Sequence, residues 1–239
     1  MAERARQELC DTVSDTTLQS RRRSGAPSSR TRVRRVPENA RYGSAAIAEI
    51  LDRALVCHLG FVHEGQPVAI PTLHARIGER LYVHGSAASR TLRAAATGAP
   101  MCATVTLLDG LVLARSVFEH SVNYRSVVVL GAATVVRDAA EKREALWAFT
   151  EKLLPGRNAD ARQPTARELK ATAVLWLPLE EASAKVRTGP PDDGDSADAA
   201  LDVWAGVIPF VTTASDPVPD PSLRPGIPVP GYVRSYSPG

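Results

Sequence analysis

Hydrophobic positions along this chain change period several times, and each change marks an element. From Ser44 the apolar residues Ile47, Ile50, Leu51, Ala54 and Leu55 recur every three or four places, the spacing of one buried helical stripe, with Ser44 placed to cap it. Residues 55–62, 67–77 and 81–84 are short apolar runs separated by His63-Glu64-Gly65-Gln66 and Gly78-Glu79-Arg80, which predicts a meander of strands. Residues 89–97 are rich in Ala and Arg and close at Gly98, so they read as a small inserted helix. Residues 101–108, 111–117 and 126–136 follow as three more strands, the first two joined by the hairpin dipeptide Asp109-Gly110. A helix over 139–154 sets Leu146, Phe149, Leu153 and Leu154 on one face and stops at Pro155-Gly156, after which 171–179 is again strand-like. Residues 203–211 form a last apolar element, and seven prolines between positions 217 and 238 forbid a regular helix or ladder beyond it.

Six or seven short strands with two or three helices predict a mainly β fold with flanking helices, closed as an antiparallel barrel. The chain divides into a disordered basic arm over 1–36, a barrel domain over 37–189 and a Pro-rich strap over 190–239 that packs on the barrel. Its 239 residues, 44% hydrophobic and 23% charged, exclude full disorder and fibrous classes. No run approaches the roughly 20 apolar residues that span a bilayer, so no membrane partner is expected. The opening MAERARQELCDTVSD carries acids where targeting segments avoid them, and Cys10, Cys57 and Cys102 suit no disulfide framework. Both features predict a reducing cytoplasm.

Charge changes the picture only at the N-terminus. Residues 1–41 hold ten arginines against five acids, whereas the remainder is slightly acidic. Seven of those arginines lie between positions 21 and 35 among Ser, Gly and Pro, a composition that stays solvated. No aromatic interleaving or groove-reading element follows, so no nucleic-acid partner is expected.

Walker, dinucleotide, zincin and nucleophile-elbow motifs are all missing, and no metal site is expected from the spacing of the five histidines. The segment His84-Gly85-Ser86-Ala87-Ala88-Ser89-Arg90-Thr91 leaves a strand and opens a helix. Glycine, three hydroxyls, freed N–H groups and a guanidinium at one turn suit a phosphate, although a capped helix with a solvated Arg has the same pattern. A second polar cluster, Arg115-Ser116 with 120–126, precedes a strongly apolar strand and points to an interface or ligand edge. A third, 183–191 with Trp204, joins Lys185 and Arg187 to an aromatic ring able to cover a flat ligand or to plug the barrel.

The blocks CHLGF, GQPVAIPTLHAR, LYVHGSAASR, DGLVLARS, HSVNYRSVVVLGAA, SAKVRTGPPDD and VWAGVIP, in this order, resemble the pyridoxamine 5′-phosphate oxidase-related family of flavin-binding split barrels, in particular the branch that includes nitroimidazole-resistance proteins. The resemblance covers residues 32–232 and implies a six-stranded Greek-key split barrel, a homodimer with FMN at the subunit interface. By the same resemblance Val68, Ala69, Ile70, Pro71 and Thr72 lie along the isoalloxazine. His84, Gly85, Ser86, Ser89 and Arg90 hold the ribityl chain and phosphate. Asn123, Tyr124 and Arg125 approach from the neighbouring region or subunit, and Lys185, Arg187 and Trp204 complete the cofactor set. The C-terminal segment by which pyridoxal-forming oxidases hold their substrate is missing, which argues against pyridoxamine phosphate.

The expectation is therefore an FMN-binding oxidoreductase that passes electrons to a small nitro- or quinone-like acceptor, with His74 and His120 as the candidate proton donors. Two alternatives stand beside it. The barrel binds haem through one of its histidines, or it is a flavin carrier or sensor without turnover; a deazaflavin in place of FMN is a further variant.

Overall fold

The structure, a computed structural model, describes residues 25–238. Ten strands form one antiparallel sheet in the order β1-β9-β6-β5-β2-β3-β4-β8-β7, with β10 on the free flank of β5. They are β1 Ala40–Arg41, β2 Val56–His63, β3 Gln66–Ile77, β4 Arg80–Ser86, β5 Pro100–Leu113, β6 Ser121–Ala132, β7 Thr134–Val135, β8 Thr172–Pro178, β9 Ala182–Arg187 and β10 Gly206–Pro209. The sheet curls because β8 pairs with β4 while β9, three residues further on, pairs with β6. One short turn thus carries the chain from one end of the strand order to the other. Leu179 N–H donates to Glu79 O at 3.0 Å on one side of it, and Leu130 N–H donates to Glu181 O at 2.8 Å on the other. This is a split barrel.

Strand alternation fills its interior. Leu59, Leu81, Val83, Val105, Val127, Val129, Leu175 and Leu177 are buried in one cluster. Helix α1, Ser44–Arg53, adds Ile47, Ile50 and Leu51 to that core, as its period predicts. Its N-cap is Gly43, with Ser44 as the first helical residue. Helix α2, Arg90–Ala96, adds Ala94 and Ala95 and is capped by Ser89, whose hydroxyl accepts from Leu92 N–H. Helix α3, Ala139–Leu153, lies outside the barrel and packs Ala145 and Phe149 against Ala75, Tyr82 and Val174. Leu153 is exposed, so the buried stripe of α3 is narrower than its sequence suggests. Two short helices follow, α4 Arg157–Asp160 and α5 Ala166–Ala171, the second held by a capping box between Thr165 and Glu168.

Asp109-Gly110 is not the hairpin expected. β5 runs unbroken for 14 residues, and the register shift at 108–110 marks a bulge. The cause is tertiary: Arg125 on β6 clamps the Asp109 carboxylate with bonds of 2.9 and 2.7 Å. The bare Cα of Gly110 lets β10 close in, since a Cβ there would lie 2.7 Å from Ile208 O. The polar run 121–125, which precedes the strand expected over 126–136, forms the first five residues of β6. The hairpin tip is instead residues 114–120, which include a 3-10 turn at Val117–Glu119.

The expected arm lies outside the described residues as far as residue 24, but residues 25–36 run against the barrel. Thr31 is buried, Ser28 Oγ donates to the Glu181 carboxylate, and Val33 N–H donates to Tyr42 Oη at 2.9 Å. In the C-terminal segment the regular elements are a 3-10 turn at Ala197–Ala200, β10 and the helix α6, Gly231–Arg234, a single turn that fits between Pro230 and Pro238 where no helix was expected; Tyr232 Oη accepts from Arg157 at 3.1 Å. Among the described residues no helix is long and apolar enough to cross a membrane.

Gly110→Ala forces a methyl against the backbone of β10, and such overpacking costs about 1–3 kcal/mol. The expected result is faster hydrogen exchange confined to the β10 amides and the facing segment of β5, with a melting temperature lowered by several degrees. Unchanged protection of β10 refutes the close approach.

Candidate functional site

β3 pairs with β4 through residues 74–77 and with β2 through residues 66–73, and beyond the β3–β4 ladder Ile70, Pro71 and Thr72 line one cavity with Val83, His84 and Gly85. With Leu59, Ala173, Leu175 and the turn into α2 they enclose a cavity of about 200 Å³. Its inner wall is aliphatic and its mouth is polar. Ser86 Oγ accepts from Ala88 N–H and Ser89 Oγ from Leu92 N–H, both at 3.2 Å, so each hydroxyl proton stays available to donate outward. Arg93 ties the same turn by donating to Ala88 O at 3.0 Å. Arg90 is exposed and has neither ion pair nor hydrogen bond among the described residues. A Cβ on Gly85 would point to Ser89 Oγ, 4.0 Å away, and narrow the mouth.

His84 forms one wall. Its ring is tilted against Phe149 of α3 with centroids 4.5 Å apart, its Nδ1 is buried without a partner, and burial lowers its pKa below the ordinary histidine value. A buried polar atom left unsatisfied is uncommon, and among the described residues His84 shares this state with His74.

His74 is not brought to this cleft. It is 1% exposed, between α1 and α3, and this placement corrects its expected role as a proton donor there. Its Nε2 lies 2.9 Å from both Leu51 O and Lys152 Nζ, and Lys152 donates to the same carbonyl at 2.7 Å. Burial and the neighbouring ammonium push His74 down to about 4; burial lowers Lys152 to about 8 and raises Cys57 to about 11. A neutral imidazole and a carbonyl therefore share one buried ammonium, an arrangement that ties the end of α3 to the end of α1. Lys152 faces a second hollow of about 730 Å³, partly walled by Tyr232 and Tyr236.

The other expected residues gather elsewhere. Val68 and Ala69 line an open groove with Gly60 and Cys102. Asn123, Tyr124 and Arg125 on β6 meet Lys185 and Arg187 on β9, because the register pairs Tyr124 with Arg187 and Ser126 with Lys185. Arg187 donates to Asn123 Oδ1 at 2.6 Å, the Asn123 amide donates to Gly189 O at 3.1 Å, and Arg125 is held by Asp109. These polar clusters answer one another and not the cleft. His120 sits exposed at the hairpin tip and Trp204 beside β10, its ring against Gly206. Reading the sequence did not find Leu59, Ala173 and Leu175 as cavity walls; the alternation of β2 and β8 was the available signal.

Residues 43–186 match the family described as pyridoxamine 5′-phosphate oxidase. The chain belongs to this family. Among solved structures of its kind, the flavocytochrome Anf3 from Azotobacter vinelandii is 43% identical, covers 90% of this chain and all of its own, and superposes with a TM-score of 0.85. An FAD- and haem-binding protein from Mycobacterium smegmatis is 39% identical over 84% of this chain and 98% of its own, with a TM-score of 0.79. A protein described as a 5-nitroimidazole antibiotic resistance protein from Bacteroides thetaiotaomicron shares the fold at 22% identity and a TM-score of 0.51, over 60% of this chain and 83% of its own. No curated protein matches the sequence.

The buried imidazole gives this chain an acid-sensitive core. Unfolded His74 takes up a proton near 6.5 and folded His74 only near 4, so between those values the unfolded chain binds more protons. Its share of stability is intact above 6.5 and is lost as pH falls to about 4, on the order of 3 kcal/mol at most. Urea unfolding across this window should show a shallower decline for His74→Gln than for the unaltered chain; parallel declines would remove His74 from the account.

Proposed function

We propose that this protein is a flavin-dependent oxidoreductase whose cleft between β3, β4 and α2 seats the flavin nucleotide. The observation that carries this reading is the graded cleft, aliphatic where Leu59, Ile70, Val83 and Leu175 meet and polar where Thr72, Ser89 and Thr91 line it, with Ser86 and Arg90 in the adjoining turn. A flavin nucleotide has the same grading, from flat ring to anionic chain. Ser86, Ser89 and Arg90 would donate to phosphate oxygens, each charge-assisted bond contributing about 1.5–3 kcal/mol. Bound flavin supplies the electron chemistry, and the acceptor is a small organic molecule of nitro or quinone type. The protein's part is to orient the ring along Ile70, Pro71 and Thr72 and to keep His84 neutral beside it. The flavin is read as FAD in place of the expected FMN, because the Mycobacterium smegmatis relative binds FAD.

A cavity of about 200 Å³ is smaller than the roughly 300–1,000 Å³ of ordinary ligand pockets, so the remainder of the ring needs a second wall. In this reading a second copy of the chain supplies it, as a homodimer. Haem is proposed as a further cofactor, since one relative is a flavocytochrome and another binds both groups.

Absorbance of the purified full chain, with chromatography of the released cofactor, tests these readings: bound FAD supports the first, and a Soret band the second. Arg90→Ala should weaken flavin retention roughly 10–100-fold, the equivalent of one charge-assisted bond, with the melting temperature of the flavin-free protein unchanged. Retention equal to the unaltered chain, or no flavin on either, overturns the assignment. Oxidation of a reduced nicotinamide with a quinone as acceptor separates enzyme from carrier.

A further inference from the structure

The hollow beside the end of α3 is a second enclosure, of about 730 Å³, and none of its lining residues lines the flavin cleft. The junction of α1 and β2 forms one side, Thr106 and Leu107 of β5 another, and the C-terminal segment from Tyr232 onward a third. Lys152, the penultimate residue of α3, is part of the wall. An ammonium has three N–H donors. Lys152 spends one on Leu51 O at 2.7 Å and one on His74 Nε2 at 2.9 Å, so a third is left. Neither partner is an anion: one is a carbonyl, the other an imidazole kept neutral by burial.

The charges around it do not close the account. Asp52, the acid in this wall, gives both carboxylate oxygens to Arg76, at 3.0 and 2.5 Å. Arg53 lines the same hollow, and among the described residues its guanidinium has neither ion pair nor hydrogen bond. Burial lowers Lys152 to about 8, so most of it is still charged at neutral pH. Charged groups taken out of water are normally paired, yet Lys152 has no counter-ion among the described residues. The wall thus keeps two cations and no free anion. The rest of it is aliphatic at Leu55, Leu107 and Leu154 and aromatic at Tyr232 and Tyr236. Arg157 and Asp160 hold the Tyr232 hydroxyl, which fixes that ring in place. The volume lies within the roughly 300–1,000 Å³ of ordinary ligand pockets.

We propose that this hollow binds an aromatic carboxylate, with its charged end on Lys152 and Arg53 and its ring against Tyr232 and Tyr236. The ligand supplies the counter-ion that Lys152 lacks, and a flat apolar body suits the tyrosine side of the wall. Charge-assisted bonds from two cations favour an acid over its uncharged analogue. The site lies outside the flavin cleft and is independent of the flavin reading.

Isothermal titration calorimetry of the full chain with naphthoate tests the site, with naphthamide as the uncharged control. Naphthoate should bind at a single site per chain, and naphthamide at least ~10-fold more weakly. Lys152→Met should lower the naphthoate affinity roughly 10–100-fold, the loss of one charge-assisted bond. Lys152 also ties α3 to α1, so circular dichroism of that variant is compared with the unaltered chain. Arg53→Gln changes an exposed side chain and leaves the fold intact; it should weaken naphthoate about 10-fold and leave naphthamide unchanged. Arg90→Ala, at the flavin cleft, should leave naphthoate binding as it is. No binding of naphthoate at millimolar concentration, equal affinity for acid and amide, or an affinity unchanged in both Lys152→Met and Arg53→Gln overturns the assignment. Loss of naphthoate binding in Arg90→Ala moves the ligand to the flavin cleft and overturns it as well.

Discussion

Everything in this molecule depends on the turn between β8 and β9. Two strands that follow one another in sequence pair with β4 and β6, partners far apart in the strand order, so a turn of three residues must hold both sides of the barrel in place. The backbone bonds of Leu179 and Leu130 fix it, and Glu181 in the same turn binds Ser28 from the N-terminal segment. A hydrogen bond of this kind contributes only about 1 kcal/mol net, but here it sets which strand faces are interior. The continuous core of Val127, Val129, Leu175 and Leu177 follows from that choice.

The cleft is a by-product of the same closure. β8 lies beside β4, so Ala173 and Leu175 back the cavity that β3 and β4 open, while α2 enters from the turn after β4 and brings its hydroxyls to the mouth. The hairpin tip is built by other means, from ion pairs and amide bonds between β5, β6 and the segment after β9. One region is shaped by apolar packing and the other by polar bracing, so a substitution in either acts with little effect on the other.

Much of the fold was legible because local and tertiary preferences agree. The period of α1, the Gly-containing turns around β2 to β4 and the Ser89 cap are all local signals, and all appear in the structure. The cavity turn from His84 to Arg90 was legible for the same reason. Where the reading failed, a distant residue decided. Asp109-Gly110 carries the local chemistry of a hairpin, and only Arg125 across the ladder and Ile208 from a strand a hundred residues later make it a bulge. The polar run at the start of β6 points to an interface or ligand edge until Arg187 and Gly189 supply its partners. His74 and Lys152 lie 78 positions apart, and no periodicity announces that a lysine on the polar stripe of α3 turns inward to the end of α1.

β5 is longer than the barrel needs. Its first part pairs with β2 through residues 101–104, whereas residues 110–113 find a partner on that flank only in β10. A chain cut before Gly206 would keep its barrel and its core but would leave four residues of bare sheet edge next to exposed Leu108 and Leu111. Such an edge is a template for pairing with any other strand. The short C-terminal strand thus closes the backbone edge at the base of the hairpin, which is what lets β5 run on past the barrel with its amides paired.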